Sequence, residues 1–295
     1  MADLEKLLLR TSRTFALSIP RLPRPLRDQV AVAYLLFRVA DTLEDAFRWD
    51  RALRVEALDG FAAVLRGEAD PAALVATWRG APPCDHEGYL ELLEALPALL
   101  AAFAAIEPAA RGVIAHHALR TTEGMRAFVA RASEEGRLQL RDLGDLVAYC
   151  YVVAGIVGEL LTDLLLLAED LEVAEEALRA RAVAFGEALQ LVNILKDAAD
   201  DASEGRSFLP PDLDLAVVFA RARADLGAAR GYVRALQAAG ASAGVIAFCA
   251  LPVLLAAKTL DEVEARGAGA KVDRATVEAV VAGLDEAIAA GRPAA

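Results

Sequence analysis

The order of apolar and polar residues predicts helices along nearly the whole chain. Alanine and leucine dominate and runs of β-branched residues are short, which favours helix over strand. An amphipathic helix at 213–239, for example, has arginines, including Arg221, on its outer face. No linker between these segments is long enough to divide domains. The pattern therefore predicts an all-α fold and a single domain over residues 1–295.

One predicted helix, over residues 26–47, passes from an apolar body into an acidic end. Its polar residues follow a four-three-four spacing: Tyr34, Arg38, Asp41 and Asp45. On a helix this spacing places all four side chains on one face. Burying charge without a partner is very costly, so the stripe is expected to meet counter-charges, metal or water.

A second helix repeats this arrangement further along the chain. Its polar side chains also recur at three- and four-residue steps: Gln190, Asn193, Asp197 and Asp201. Mg²⁺ prefers oxygen ligands and usually keeps waters and substrate phosphate oxygens, so carboxylates and a carboxamide on successive turns suit it. A solvated acidic turn is the alternative for one such helix, although acids there oppose the helix dipole. Two copies favour a pair of helices that face one another across a pocket and hold Mg²⁺ and a diphosphate.

Several segments resemble the squalene and phytoene synthases, a family of enzymes that join two prenyl diphosphates head to head. The matches occur in the family's order over most of the chain: TSRTF (11–15), YLLFRVADTLED (34–45), YCYVVAGIVG (149–158), NILKDAADD (193–201), GRSFLP (205–210) and FCALP (248–252). The DTLED and FCALP segments are more similar to the squalene branch than to the phytoene branch. The resemblance implies a class I isoprenoid-synthase helical bundle with a central apolar cavity.

The resemblance also implies roles for individual residues. The implied Mg²⁺ ligands lie in the two acidic segments: Asp41, Glu44, Asp45, Asn193, Asp197 and Asp201. The implied substrate-binding residues are Ser12, Arg13, Phe15, Tyr34, Arg38, Gln190, Lys196 and Arg206. The implied catalytic residues are Asp41, Asp197 and Tyr149, the last because it matches a tyrosine to which the family assigns catalytic work. From the residues alone, an ordinary helix surface at 12–15 and a buried core tyrosine at 149 are the simpler interpretations.

The implied activity is a prenyltransferase reaction, the Mg²⁺-dependent condensation of two farnesyl diphosphates to presqualene diphosphate. In squalene synthases NADPH then reduces this product to squalene, and two departures from the family weaken that second half-reaction. Lys196 stands where the family usually has arginine, and Asp273 falls near a position where squalene synthases carry a basic residue that contacts the nucleotide. The alternatives are phytoene synthesis from geranylgeranyl diphosphate, dehydrosqualene synthesis, a cyclase acting on one diphosphate, and an inactive relative that serves as an interaction protein.

Composition limits the partners of the chain. With 295 residues and 56% hydrophobic content, the chain can bury a large core. A net charge of −12 argues against nucleic-acid binding, which needs a basic face. An anionic substrate would therefore need metal ions and placed arginines. Three scattered cysteines are too few for a disulfide framework.

Hydropathy predicts neither a cleavable signal nor a transmembrane helix, because no run of about 18 uncharged apolar residues occurs. The nearest candidate, residues 146–168, carries Glu159 and Asp163, which are expected to pair with arginine from the helix at 173–181 rather than bind metal. The protein is expected in the cytoplasm as a monomer or homodimer. An oily product would favour association with a membrane surface.

Overall fold

Helices build the structure, a computed structural model that describes residues 4–12, 14–203 and 206–295. These ranges contain no β-strand, and Gln139 and Ser207 form an isolated parallel bridge. The α-helices are, in chain order, α1 (Leu4–Thr11), α2 (Phe15–Ser18), α3 (Leu26–Glu44), α4 (Arg51–Leu65), α5 (Pro71–Gly80), α6 (Glu87–Glu94), α7 (Leu96–Ala104), α8 (Pro108–Val129), α9 (Leu143–Cys150), α10 (Ile156–Ala168), α11 (Glu175–Ser203), α12 (Leu215–Ala238), α13 (Ala243–Arg266) and α14 (Arg274–Ala289). The predicted all-α fold is confirmed.

Side chains in the sequence explain several helix boundaries. Asp50, Asp142 and Asp214 precede α4, α9 and α12, and each accepts a hydrogen bond from a backbone N–H of the first turn. Such a cap satisfies a donor that the helix itself cannot pair. The apolar segment at 88–106 divides into α6 and α7, because Pro97 has no N–H with which to continue α6.

The chain divides into two compact units. One contains Met1–Ala16 with Arg24–Leu138, and the other contains Leu17–Pro23 with Gln139–Ala295. In the first unit, α3 and α4 both pack against α8. In the second unit, the long helix α11 packs against α10, α12 and α13. A single domain over the whole chain stays a prediction.

The helix that carries Tyr149 is interrupted by a π-turn. The α9 helix ends at Cys150, Tyr151–Gly155 form the π-turn, and α10 follows directly. Turns of this kind are rare and often lie at functional sites. One turn further along, Gly158 of α10 lies against α11 where that helix carries Gly186.

Replacing Gly158 or Gly186 by alanine is expected to lower the free energy of unfolding by about 3 kcal/mol or more. A Cβ at Gly158 would lie 1.9 Å from the carbonyl oxygen of Ala182, and one at Gly186 would lie 1.9 Å from that of Ala154. Both obstacles are backbone atoms, which cannot rotate away. Denaturant unfolding measures the loss, with Gly227→Ala on α12 as the control because a Cβ there meets nothing within 4 Å. Equal stability of all three variants would contradict the close approach of α10 and the π-turn segment to α11 at these two glycines.

Two helical stretches are long and apolar enough to cross a membrane by length and composition alone: Leu143–Ala168 and Ala243–Arg266. Within the protein, 56% and 61% of their apolar windows are buried, as expected for core helices. Pro252 lies inside the second stretch and is also buried. The burial favours a core role for both stretches, and the absence of a membrane span stays a prediction.

Candidate active site

The end of α3 holds three of the predicted polar side chains together. Tyr34 Oη donates a 2.9 Å hydrogen bond to the carbonyl of Thr11, and Arg38 Nη2 donates one of 3.2 Å to Tyr34 Oη. Arg38 also forms an ion pair with Asp41, one turn further along the helix. The three side chains are half-buried. The stripe is therefore ordered by its own hydrogen bonds.

Arg38 is held as a cation at this face of α3. Its guanidinium carbon lies 5.6 Å from the ring centroids of both Tyr34 and Tyr89, and aromatic faces attract cations. Burial is the largest influence on the Arg38 pKa and lowers it, but Asp41 and the two phenols outweigh burial and raise the pKa above its ordinary value. A permanent cation beside a carboxylate suits the recognition of phosphate oxygens.

Asp45 closes α3, whereas Glu44 points away from the accessible face. The backbone N–H of Asp45 donates a 2.9 Å hydrogen bond to the carbonyl of Asp41, so the two aspartates stand on successive turns. Both are half-buried. Glu44 is only 2% exposed, and Arg54 donates a hydrogen bond to its carbonyl oxygen. Metal binding by Glu44 stays a prediction, and its burial disfavours that role.

The segment before α2 lies beside the same stripe. Ser12 Oγ accepts a 3.0 Å hydrogen bond from the backbone N–H of Phe15. The Phe15 ring centroid lies 5.5 Å from that of Tyr34. The structure therefore brings Ser12 and Phe15 to the polar face of α3, and their substrate-binding role stays a prediction. Arg13, predicted to bind substrate with them, lies outside the described residues.

The end of α11 carries the second polar stripe. Lys196 Nζ lies 3.1 Å from Asp197 Oδ2 and donates a 3.4 Å hydrogen bond to Asn193 Oδ1. Asn193 is exposed, and Gln190 and Asp197 are half-buried. The predicted ligands and a cation thus share a helix face that solvent reaches.

After α11 the chain turns so that Arg206 meets Asp201. Arg206 Nη2 donates a 2.8 Å hydrogen bond to Asp201 Oδ1, and the Arg206 N–H donates one of 2.9 Å to the Asp201 carbonyl. Each side chain is only 14% exposed, so solvent screens this pair less than a surface ion pair. A phosphate at this turn would meet a cation whose position is already fixed.

Tyr149 lies next to this turn. It is 3% exposed, and its ring stacks on Phe208 with centroids 4.7 Å apart and an angle of 22° between the planes. The guanidinium carbon of Arg206 lies 6.0 Å from the Phe208 ring centroid. A continuous series of contacts therefore joins Tyr149 to Asp201, between residues that are far apart in the sequence.

The two acids of α10 are expected to pair with arginine, and one of them has its expected partner. Arg179 Nη1 donates a 2.7 Å hydrogen bond to Asp163 Oδ1, so the predicted pairing is confirmed for Asp163. Glu159 accepts a 3.4 Å hydrogen bond from Tyr151 Oη. Its pairing with arginine stays a prediction.

Sequence reasoning misses an ionic network between α11 and α12. Arg221 donates hydrogen bonds of 2.7 Å to both Glu187 Oε2 and Asp225 Oδ2. Burial raises the pKa of both carboxyl groups, and the charge of Arg221 opposes that effect. The predicted outer-face position of Arg221 is therefore wrong, because its half-buried side chain bridges two buried acids. The signal available in the sequence is the lone Glu187 within an apolar run.

Both acidic helix ends have the donor chemistry that Mg²⁺ requires. Each presents two half-buried carboxylates one turn apart, and α11 adds the carboxamide of Asn193. Mg²⁺ commonly completes its octahedral shell with waters and substrate phosphates. Arg38 lies beside a carboxylate of α3, and Lys196 and Arg206 lie beside carboxylates of α11. Over the described ranges, no three His, Cys, Asp or Glu side chains form a ready-made metal site.

Comparison with known proteins shows what the chain is similar to. The family model described as squalene/phytoene synthase matches residues 8–216. The squalene synthase of Eremothecium gossypii is 31% identical over 217 residues, which cover 70% of this chain and 45% of that protein. Botryococcus squalene synthase, from Botryococcus braunii, is 28% identical and is matched over 70% of this chain and 42% of its own length. The chain thus spans less than half the length of these curated relatives.

Solved structures share the fold. The complex of TcSQS with the ligand BPH1237 has a TM-score of 0.74 and 25% sequence identity, and the match covers 95% of this chain and 84% of that chain. The squalene synthase HpnC from Alicyclobacillus acidocaldarius has a TM-score of 0.59, with 90% of this chain and 94% of that chain covered. Its identity is 21%, so it supports the fold alone.

Proposed function

The chain belongs to the squalene/phytoene synthase family, and on that premise we propose that it is a prenyltransferase that joins two prenyl diphosphates head to head. The relatives it matches are named squalene synthases, which supports the squalene branch. We assign farnesyl diphosphate as the substrate and presqualene diphosphate as the product. The observation that carries the proposal is the pairing of aspartates with placed cations at the ends of α3 and α11.

The first step is heterolysis of the allylic C–O bond of one substrate, with both bonding electrons leaving on the diphosphate. The aspartates at each helix end would hold Mg²⁺, which when bound supplies Lewis-acid stabilisation of a diphosphate leaving group. The cations beside these aspartates, Arg38 on α3 and Lys196 and Arg206 at the end of α11, donate charge-assisted hydrogen bonds to diphosphate oxygens. Each of these cations already lies beside an aspartate, so little reorganisation is needed as charge develops.

The second step joins the two chains. The double bond of the second prenyl diphosphate attacks the allylic cation, and loss of a proton closes the cyclopropane ring. Tyr149 takes that proton while its own hydroxyl proton passes to the departed diphosphate, so the phenol ends neutral. Val153 and Val157 follow Tyr149 along the helix, are half-buried, and help to keep water from the cation.

At the position where the family resemblance leads us to expect a basic residue for NADPH, the chain has Asp273. Asp273 caps α14 by accepting a 2.7 Å hydrogen bond from the Thr276 N–H, and the hydrogen bonds from Thr276 hold the pKa of Asp273 below its ordinary value. The preceding loop is joined to α11, because the Gly269 N–H donates a 2.7 Å hydrogen bond to the Lys196 carbonyl. A fixed negative charge there opposes nucleotide phosphates. We therefore propose that the reaction ends at presqualene diphosphate.

Incubation with farnesyl diphosphate and Mg²⁺, without NADPH, is expected to accumulate presqualene diphosphate. Added NADPH should give squalene at best slowly, because the charge at Asp273 disfavours nucleotide binding. Mass spectrometry of the extracted products and the rate of pyrophosphate release measure the two steps. Chelation of Mg²⁺ with EDTA is the control and should stop pyrophosphate release.

Other products would point to other functions. Rapid and complete conversion to squalene would show that NADPH binds after all. Faster reaction of geranylgeranyl diphosphate would favour phytoene synthesis, and a dehydrosqualene product or a cyclised single chain would favour those activities. No pyrophosphate release from either substrate would favour the inactive relative that serves as an interaction protein.

Location and assembly stay predictions. We propose a cytoplasmic protein, monomeric or homodimeric, whose oily product favours contact with a membrane surface. Its proposed partners are the prenyl diphosphates, and the net charge of −12 continues to argue against nucleic acid.

A further inference from the structure

We infer that Phe208 is a positioning residue for Tyr149, and this inference rests on the proposed function, in which Tyr149 handles the proton. The Phe208 ring fixes the plane of the tyrosine and joins it to the ion pair of Arg206 with Asp201. A buried phenylalanine would by itself be assigned only to the core. Its contacts with Tyr149 and Arg206 are the reason for assigning it a positioning role as well.

The rings of Tyr149 and Phe208 are in contact inside the protein. Their centroids are 4.7 Å apart, their planes meet at 22°, and the two residues are only 3% and 7% exposed. An aromatic pair of this kind contributes more than the area it buries. Because one face of the Tyr149 ring is covered by Phe208, the stack restricts the direction in which the tyrosine hydroxyl points.

The backbone beside Phe208 is anchored to the segment that leads into α9. Gln139 and Ser207 form the parallel bridge, and the Leu140 N–H donates a 3.1 Å hydrogen bond to the Ser207 carbonyl. The same segment continues into the helix that carries Tyr149. Both partners of the stack therefore belong to one hydrogen-bonded frame.

The segment that carries Phe208 is also bonded to the polar end of α11. Arg206 lies two positions before Phe208, with its guanidinium carbon 6.0 Å from the phenylalanine ring centroid. Side-chain and backbone hydrogen bonds fix Arg206 to Asp201. A diphosphate bound by Arg206 would therefore contact a residue that lies beside Phe208. The geometry couples binding of the leaving group to the placement of Tyr149.

Phe208→Leu is expected to lower kcat by about 10- to 100-fold while KM for farnesyl diphosphate changes by less than about threefold, because a reacting group misplaced by about 1 Å costs rate rather than binding. Phe208→Met keeps most of the volume without a ring and should behave in the same way. Phe208→Tyr keeps the ring and should retain most of the turnover. Circular dichroism and thermal unfolding establish that each variant is folded.

Phe185 offers a matched control in the same unit of the protein. It is 3% exposed, and its ring centroid lies 4.9 Å from that of Tyr232. Phe185→Leu removes a comparable buried aromatic contact, so it should lower the melting temperature but leave kcat within about twofold of the wild type. An equal loss of kcat in Phe185→Leu and Phe208→Leu would overturn the inference, because general loosening of the core would explain both.

A double variant separates positioning from an independent role of Phe208. In a Tyr149→Phe background, Phe208→Leu should cost less than about twofold in kcat, because the hydroxyl that it positions is already absent. An equally large loss of kcat from Phe208→Leu in that background would overturn the inference. Wild-type kcat in both single variants, Phe208→Leu and Phe208→Met, would also overturn it. Either result would leave the proposed function intact. A wild-type protein that releases no pyrophosphate from farnesyl diphosphate would instead overturn the proposed function.

Discussion

Asparagine in place of Asp41 or Asp197 is expected to lower kcat by about a thousandfold or more while the fold is kept. The carboxamide has the shape of the carboxylate but lacks the charge that we propose holds Mg²⁺, and a thousandfold loss corresponds to about 4 kcal/mol of transition-state stabilisation. The two side chains are 34% and 40% exposed, so neither is part of the core. Loss of their ion pairs with Arg38 and Lys196 should cost at most about 1 kcal/mol of stability.

Steady-state kinetics at saturating farnesyl diphosphate and Mg²⁺ test this expectation, with denaturant unfolding measured in parallel. Asp28→Asn is the matched control, because Asp28 also lies on α3 and pairs with an arginine, Arg24, at 3.4 Å. That variant should keep wild-type kcat. Near-native activity of Asp41→Asn or Asp197→Asn would refute metal binding by that stripe, and unfolding of either variant would show a structural role instead.

Tyr149→Phe is expected to slow formation of the condensed product by about 100- to 1000-fold while the first ionisation continues. Phenylalanine keeps the stack on Phe208 and removes only the hydroxyl that we propose handles the proton. Binding of farnesyl diphosphate should change little, because the cations that we propose contact the diphosphate are untouched. Pyrophosphate release compared with presqualene diphosphate formation, in the same reaction, measures this separation of the two steps.

Tyr151→Phe provides the control for the loss of a phenol. Tyr151 lies two positions further along the same helical segment, is half-buried, and donates its hydrogen bond to Glu159 rather than stacking on Phe208. Its product formation should stay within about threefold of the wild type. Full activity of Tyr149→Phe would return Tyr149 to the role of a core residue. An equal loss of product formation in Tyr151→Phe would show that the effect is not specific to the Tyr149 hydroxyl.

The parts of the candidate site that depend on local spacing are predictable from the sequence. The hydrogen bond between Arg38 and Tyr34 and the ion pair between Arg38 and Asp41 join residues three or four positions apart. Helical periodicity alone brings such residues together. The all-α class follows from the same kind of evidence, because composition and apolar spacing act along the whole chain.

Features that depend on tertiary packing are not predictable in this way. Arg221 is polar on an amphipathic helix, and only the position of Glu187 on the neighbouring helix shows that it is half-buried between acids. Glu44 shares an acidic segment with two half-buried aspartates, yet it is buried because that side of α3 faces the core. The stack of Tyr149 on Phe208 likewise requires the turn after α11, whose path the sequence does not specify.

The π-turn at Tyr151–Gly155 has a consequence for how this segment can vary during evolution. Such a turn is equivalent to one residue inserted into an α-helix. The wider turn takes up that residue locally, so the helices before and after it keep the relative rotation of a regular α-helix. Deletion of one residue between Tyr149 and Gly158 would therefore restore the regular helix and leave the tyrosine and the glycine crossing in the same relative orientation. Relatives that lack this residue should have a regular helix here, with both the tyrosine and the glycine kept.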